Sequence, residues 1–466
     1  MVWERRSYND GSSVRCTVKF RGFIPQWGTS VALGVEWDDP RRGKNNGSLD
    51  GVEYMHARVP GACSFVRESR PDEGSVSFAQ ALSKKYLQHS DSQKIQLSDT
   101  KYVETYGFDK VESMYADLPS LSFVSLEACL VKSLEWTDFS QFLSLVRLDL
   151  SNNLLERFAE VPPFLNQFPT LKNVRLSGNR LVFAKSREEC SMESLELCDA
   201  ALIDDEADIV MQAFPKLKTL SLANNCLSRV PQIPGELEEL DLSGNAQLVS
   251  IGFLPFTVRR ASFQGTAIKA LLPSDTIPRS CDLRNTALIS EDTTGRRVIN
   301  WEAVSELDRH GVEELDFLGA FDLENRGFVI ARCGELKKLD GTVVDSEARL
   351  NAEKHVIAAV VQNLHPKIPE SRWNQLVRAH GLPYVKSSAS IDNRLVSFFV
   401  DGKPLCTLGD SPVYRLRALV ARLTDQDTEL MEIEGITDTG EYDPGSVWKV
   451  KDLIAEGQNL RTYLAK

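Results

Sequence analysis

Between residues 121 and 340 one leucine pattern recurs, LxxLxLxxNxL, and a chain that carries it is committed to stacking its own copies. Clear copies are LVRLDLSNNLL (145–155), LKNVRLSGNRL (171–181), LKTLSLANNCL (217–227) and LEELDLSGN (237–245). Weaker ones are LSFVSLEACLV (121–131), MESLELCDAAL (192–202), VRRASFQGTAI (258–268), PRSCDLRNTAL (278–288) and VEELDFLGAF (312–321). The asparagine-equivalent positions fall at 129, 153, 179, 200, 225, 245, 266, 286 and 320. Most steps are 20–26 residues, and the last, of 34, accommodates an insertion around 290–308. Each unit reads as a short strand plus a return segment. Its leucines cannot be buried alone, so neighbours must stack into one array.

Pattern and period resemble those of leucine-rich repeats, which implies an α/β solenoid. In that family Asn153, Asn179, Asn225 and Asn245 would form a buried ladder that satisfies backbone groups. The outward strand positions would line a concave, partner-binding wall: Arg147, Asp149, Arg175, Glu196, Glu239, Asp241, Arg260, Asp282, Glu314 and Asp316. After the last repeat, Asp345 reads as the cap of a helix with Leu350, Val356, Ile357 and Val360 on one side, closing the exposed edge of the array.

Ahead of the repeats, residues 12–67 read as short strands punctuated by glycine, a small and strongly bent all-β domain. Within it stands LGVEWDDPRRGKNNGSLDGVEY (33–54), followed by SFVR (64–67). This resembles the CAP-Gly domain, whose members bind acidic carboxy-terminal tails such as Glu-Glu-Tyr/Phe. The resemblance implies a tail-binding site at Gly43, Lys44, Asn45, Asn46, Gly47 and Phe65, with Arg41 and Arg42 steering. The chemistry is coherent: a lysine for charge, an amide donor, and glycines that let backbone approach. The sequence departs from the family pattern at Ala32 (Trp), Asn46 (Asp) and Met55 (Phe). Losing the large aromatic shrinks the surface offered to a terminal ring, and Phe65, Trp27 or Trp37 would have to compensate.

Beyond the array, HPKIPESRWNQLVRAHGLP (365–383) reads as a polar, Pro-bounded connector with room for one short helix. Strands at 394–400 and 405–408 follow. Next comes a helix over 411–425 with Val413, Leu416, Leu419, Val420 and Leu423 as its apolar stripe, then strands or turns at 429–435, 447–453 and 460–466. This order resembles a ubiquitin-like α+β fold. Its last residues, Leu464-Ala465-Lys466, carry no Gly-Gly, so use as a conjugated modifier is not expected.

The expected layout is therefore multidomain: residues 1–70 CAP-Gly, 71–118 linker and helical lead-in, 119–364 repeats with their cap, 365–390 connector, and 391–466 ubiquitin-like. That order, together with the stretch at 106–134, resembles the tubulin-specific chaperone E family. The resemblance implies a non-enzymatic tubulin-folding cofactor that binds α-tubulin and works with cofactors B, C and D. Their shared task would be assembling and dismantling αβ heterodimers in the cytoplasm, at the cytoskeleton. The alternative is a CAP-Gly scaffold or adaptor at microtubule ends.

Composition narrows the classes further. The net charge of −12 disfavours nucleic acid as a partner, which wants a basic face. Residues 1–70 nevertheless hold 11 Lys/Arg against 8 Asp/Glu, a slightly basic head on an acidic body. The nine cysteines form no CxxC pair and the six histidines show no ligand spacing, so neither a metal nor a cofactor site is expected. Phosphate-loop, GxSxG, HExxH and GxGxxG motifs are absent, the first ten residues do not read as a secretory signal, and no apolar run is long enough to span a bilayer.

Overall fold

A computed structural model describes residues 3–87 and 118–383, apart from 137, 186–187, 234, 296 and 320–322. It also describes a hairpin (95–98, 101–103) and, further on, 395–408, 411, 413–424, 431–434 and 459–464. The chain divides into two units, Met1–Gly381 and Leu382–Lys466.

The larger unit is organised by one sheet of 11 strands, most of them three residues long. From Phe123–Ser125 through Arg147–Asp149, Asn173–Arg175 and onward to Glu314–Asp316, each strand pairs in parallel with the next. Lys338–Leu339 continues the ladder and Thr342–Val343 closes it antiparallel. The middle residue of every triplet points inward: Val124, Leu148, Val174, Leu195, Leu220, Leu240, Ala261, Cys281 and Leu315 are all buried. Its two neighbours face the other way, as the two-residue alternation of a strand requires.

Short strands leave backbone groups unpaired at every turn, and buried asparagines meet that need. The Nδ2 of Asn153 donates to the carbonyls of Leu126 and Leu150 at 2.8 Å, while its Oδ1 accepts from Cys129 and Val131. Asn179, Asn225 and Asn245 repeat the arrangement. Where the sequence has Thr266 and Thr286 instead, the hydroxyl donates to the carbonyl three residues back, Phe263 and Leu283, at 2.8 Å. The last turn uses Asp340, whose Oδ1 accepts from the N–H groups of Phe317 and Gly319.

The closing helix spans Ser346–Val361, with the Asp345 side chain accepting from Ala348 N–H at 2.7 Å. Val356 and Ile357 are buried as the sequence pattern requires, but Leu350 stays 40% exposed. Ala352 and Glu353 take the inward positions instead, because the helix Glu370–His380 packs beside them. Arg372 donates to Glu353 Oε1 at 2.7 Å and to Ala331 O, and His380 meets Glu353 Oε2 at 2.6 Å. The stretch read as a connector thus carries three turns of helix fastened to the array.

A second buried guanidinium, Arg332, has a histidine as its partner. Its Nε donates to His365 Nε2 at 3.1 Å, and its NH2 group to the carbonyls of Pro366 and Lys367. His365 stacks on Phe328 (4.1 Å, 9°) and meets Trp301 edge-on. An imidazole that accepts from a guanidinium must be neutral. Burial first, then the charge of Arg332, push the His365 pKa down to about 4. The unfolded chain therefore binds the extra proton between about pH 6.5 and 4, so stability present above that window is lost as pH falls through it. About 2–3 kcal/mol should go between pH 7 and 4 from this site. His365→Gln keeps an acceptor without a titrating proton and should flatten the urea-midpoint profile over that range; an unflattened profile would place the acid sensitivity elsewhere.

The N-terminal module is a four-stranded antiparallel sheet in the order Glu4–Asn9, Ser13–Phe23, Val31–Trp37, Cys63–Arg67. Tyr8, Cys16, Val18, Leu33, Val35, Trp37 and Val66 form its core. The segment that follows does not behave as a free linker over its described part. Val76–Ser77 pairs in parallel with Val131–Ser133, and the helix Phe78–Leu82 opens on a Ser77–Gln80 capping box. Phe78 and Leu82, both fully buried, join the array's own core.

Nor does the module hang free of the array. Arg58 forms a two-pronged pair with Glu206 (2.9 and 3.1 Å), at the first turn of the helix Asp204–Ala213. Trp3 donates to Arg180 O at 3.2 Å, Arg5 N–H to Glu156 at 2.8 Å, and Arg15 to Asn152 Oδ1 at 3.0 Å. At the centre sits Asp38. Arg5 grips it with both NH groups (2.6 and 2.5 Å), and Arg15 and Arg180 approach to 3.8 Å. Burial raises the Asp38 pKa, but the Arg5, Arg180 and Arg15 charges outweigh it and hold the carboxyl below its ordinary range.

The smaller unit is a mixed four-stranded sheet ordered Lys403–Leu408, Leu395–Val400, Asn459–Leu464, Met431–Glu434. Its central pair is parallel and both outer pairs are antiparallel. Phe398 and Val400 pack on Leu416, Val420 and Ala421 of the helix Val413–Thr424. Leu419, expected in the apolar stripe, is 40% exposed. The strand expected at 447–453 lies outside the described residues. No helix among the described residues is long and apolar enough to cross a membrane.

Candidate functional site

On the N-terminal module a groove of about 590 Å³ is lined by Asp10, Trp27, Trp37, Arg42, Lys44, Ser64, Phe65, Val66, Arg67 and Arg70. Four cations thus face one carboxylate beside three aromatic rings. That is the lining an acidic chain end would need, with charge for the carboxylates and flat apolar surface for a terminal ring. Lys44 and Arg67 have no carboxylate partner among the described residues, and Arg67 lies over the Trp27 ring at 5.5 Å. Arg42 lies over Trp37 at 5.6 Å, and Arg70 over Tyr8 at 4.6 Å.

The glycine-rich loop is built by its packing. A Cβ at Gly43 would sit 1.8 Å from Gly61 O, and one at Gly47, whose φ is +101°, would sit 1.9 Å from Met55 O. Both glycines therefore let the loop lie flat against neighbouring backbone. Lys44 N–H donates to Cys63 O at 2.7 Å, fixing the main chain from which the lysine side chain projects. Asn45 spends its Oδ1 on Gly47 N–H (2.9 Å), and Asn46 its Oδ1 on Gly61 N–H (2.5 Å). Of the residues singled out in the sequence, Lys44, Arg42 and Phe65 line the groove. Gly43, Asn45, Asn46 and Gly47 shape the loop beneath it. Arg41 points out, 88% exposed and paired with Asp39 at 2.9 Å.

Three charged lining residues are not among those singled out in the sequence: Asp10, Arg67 and Arg70. Arg67 ends the SFVR motif and was legible there. Asp10 and Arg70 are brought in by the first hairpin and by the turn after the last strand, and no local pattern marks either. At position 32 the small Ala32 is fully buried. The aromatic surface comes instead from Phe65, which meets Phe20 and Tyr54 edge-on at 6.3 and 5.5 Å, and from Trp27.

A second concavity, about 650 Å³, lies on the outer face of the ladder. It gathers Glu196, Glu239, Asp241, Asp282, Glu314 and Asp316 against only Arg260 and Lys338. Burial and the neighbouring charge of Asp282 raise the Asp316 pKa. The face read from sequence as mixed is therefore segregated in sign. Asp149 leaves it, being 6% exposed with its Oδ1 taken by Ser151 N–H.

Comparison with known proteins agrees with the site. The CAP-Gly domain profile matches residues 4–71, the module that carries the groove. Rattus norvegicus tubulin-specific chaperone E is 30% identical over 366 residues, covering 72% of this chain and 68% of the relative. The chain belongs to the tubulin-specific chaperone E family. The Bos taurus chaperone E is 29% identical over 72% of the chain and 69% of its own length. Protein PAC2 of Saccharomyces cerevisiae is 26% identical over 80% and 77%. These matches extend well past the CAP-Gly module, so family membership takes in the strand ladder as well as the groove.

Proposed function

We propose that this chaperone E family member is a non-enzymatic tubulin-folding cofactor that holds α-tubulin by its acidic tail and by its body. The observation that carries the reading is the groove: four cations and an aromatic wall around Lys44, on a module fastened to a ladder of strands. The ladder is a leucine-rich-repeat solenoid in this reading, and its concave wall is the second contact. The four-stranded sheet and helix of the smaller unit are read as a ubiquitin-like domain serving a further partner. Cofactors B, C and D are the proposed co-workers in assembling and dismantling αβ heterodimers in the cytoplasm. Any GTP chemistry belongs to tubulin.

Lys44→Ala should weaken binding of a peptide ending Glu-Glu-Tyr by about tenfold, since a charge-assisted bond to a carboxylate is worth about 1.5–3 kcal/mol. Raised salt should weaken the wild type. The protein mixed with soluble tubulin dimer should capture α-tubulin without β. An unchanged peptide titration by folded Lys44→Ala would remove the groove from the function. Co-sedimentation with microtubules without such capture would favour the adaptor reading.

A further inference from the structure

The groove already contains a carboxylate of its own. Asp10 bridges two of its four cations, Oδ1 to Arg70 and Oδ2 to Arg42. It sits in the tight turn between Asn9 and Ser13, where Asp10 N–H donates to Ser12 O at 3.1 Å and Gly11 takes φ +86°. The two guanidiniums have a second support that does not depend on Asp10: the ring of Trp37 under Arg42 and the ring of Tyr8 under Arg70. Arg70 N–H is also tied to Arg67 O at 3.0 Å. If the carboxylate left, both cations would stay in the groove with their donors free.

We infer that Asp10 is an internal stand-in for a ligand carboxylate, competing for Arg42 and Arg70 and so setting how many acidic groups a ligand must bring. This rests on the proposal that the groove takes an acidic chain end. Lys44 and Arg67 are the open positions, and a ligand with one carboxylate can engage them while Asp10 keeps its bridge. A ligand with two or three carboxylates gains more only by displacing Asp10 from the arginine pair. Exchanging one carboxylate for another on the same donors returns little energy, so Asp10 damps the response to further acidic residues. The protein thereby pays affinity for selectivity against merely acidic surfaces.

The test uses the full chain and three peptides: one ending Glu-Glu-Tyr with a free carboxylate, its C-terminal amide, and one ending Gln-Gln-Tyr amide. Asp10→Asn should tighten the first by about fivefold to tenfold, the second less, and the third not at all, because two charge-assisted donors become available. Lys44→Ala measured in parallel separates the two ideas. If Lys44→Ala weakens binding but Asp10→Asn leaves it unchanged or weaker, Asp10 orders the arginines rather than competing for them, and the inference falls while the groove stands. If no peptide binds the wild type or Asp10→Asn, the groove reading fails and the inference with it.

Discussion

Asp38→Ala is expected to destabilise the N-terminal module by about 3–5 kcal/mol and to unseat it from the array, because it strands a buried charge rather than merely deleting a contact. Arg5 is 1% exposed, and its guanidinium has both NH groups on Asp38, with one also on Thr17 at 3.0 Å. Arg15 and Arg180 converge on the same carboxylate. Without Asp38, three guanidiniums face one another in a poorly hydrated site, two supplied by the module and one by the array. Because the Asp38 pKa is depressed, its contribution is full above the ordinary carboxylate range and fades as acid brings pH down through the folded value. Urea unfolding followed through the fluorescence of Trp3, Trp27 and Trp37, together with limited proteolysis in the 68–75 stretch, reads both effects. Arg180→Met is the control: it leaves the Arg5–Asp38 pair whole, so the module should stay folded while docking loosens. Equal midpoints for wild type and Asp38→Ala would mean that water, rather than Asp38, solvates these arginines.

How much of this could be read in the sequence follows from what repeats. The positions 129, 153, 179, 200, 225, 245, 266 and 286 each fall six residues after the start of a ladder strand, since the same leucine spacing recurs at each turn. Lys44 and Phe65 stand in contiguous motifs, so their nearness to one groove was also legible. The docking surface was not. Arg5, Asp38, Arg58, Arg180 and Glu206 lie up to 201 residues apart with no periodicity, and singly each reads as an ordinary surface charge. Asp10 was hidden for the same reason. Leu350 and Leu419 failed in the opposite direction: helical spacing identifies a stripe, but which edge of it is covered depends on the neighbour. For the closing helix that neighbour is Glu370–His380, whose Arg372 selects Glu353 as the buried residue.

On the proposed two-contact reading, the docked module changes what each contact with one tubulin should be worth. Were residues 71–118 a flexible tether, the second contact would be made at an effective concentration of about the millimolar range, and ordering the tether would cost entropy on each encounter. Here Phe78, Ala81 and Leu82 are core, and the module is bolted to the array through Asp38–Arg180 and Arg58–Glu206. The groove and the ladder then present one preset spacing, so much of the ordering cost is met before the partner arrives. The intact chain should therefore bind α-tubulin at least tenfold, and up to about 10²–10⁴-fold, more tightly than either 1–75 or 76–383 alone, the second fragment keeping the Phe78–Leu82 and Glu370–His380 helices that complete the array. Tubulin lacking its acidic tail should erase most of the gain. The double variant Glu206→Ala/Arg180→Met, which removes both named ion pairs of the dock without touching the groove, is the sharper probe. It should leave Glu-Glu-Tyr peptide affinity unchanged while lowering affinity for tubulin, because only the spacing has been loosened. A rigid clasp can also prefer one geometry of its partner over another, and only such a difference in affinity can pull a subunit out of a dimer. If the 76–383 fragment binds as tightly as the intact chain, the groove is an accessory and the dock serves stability alone. If the intact chain gains but the double variant does not reduce it, the two contacts act through proximity, and the fixed angle between them carries no specificity.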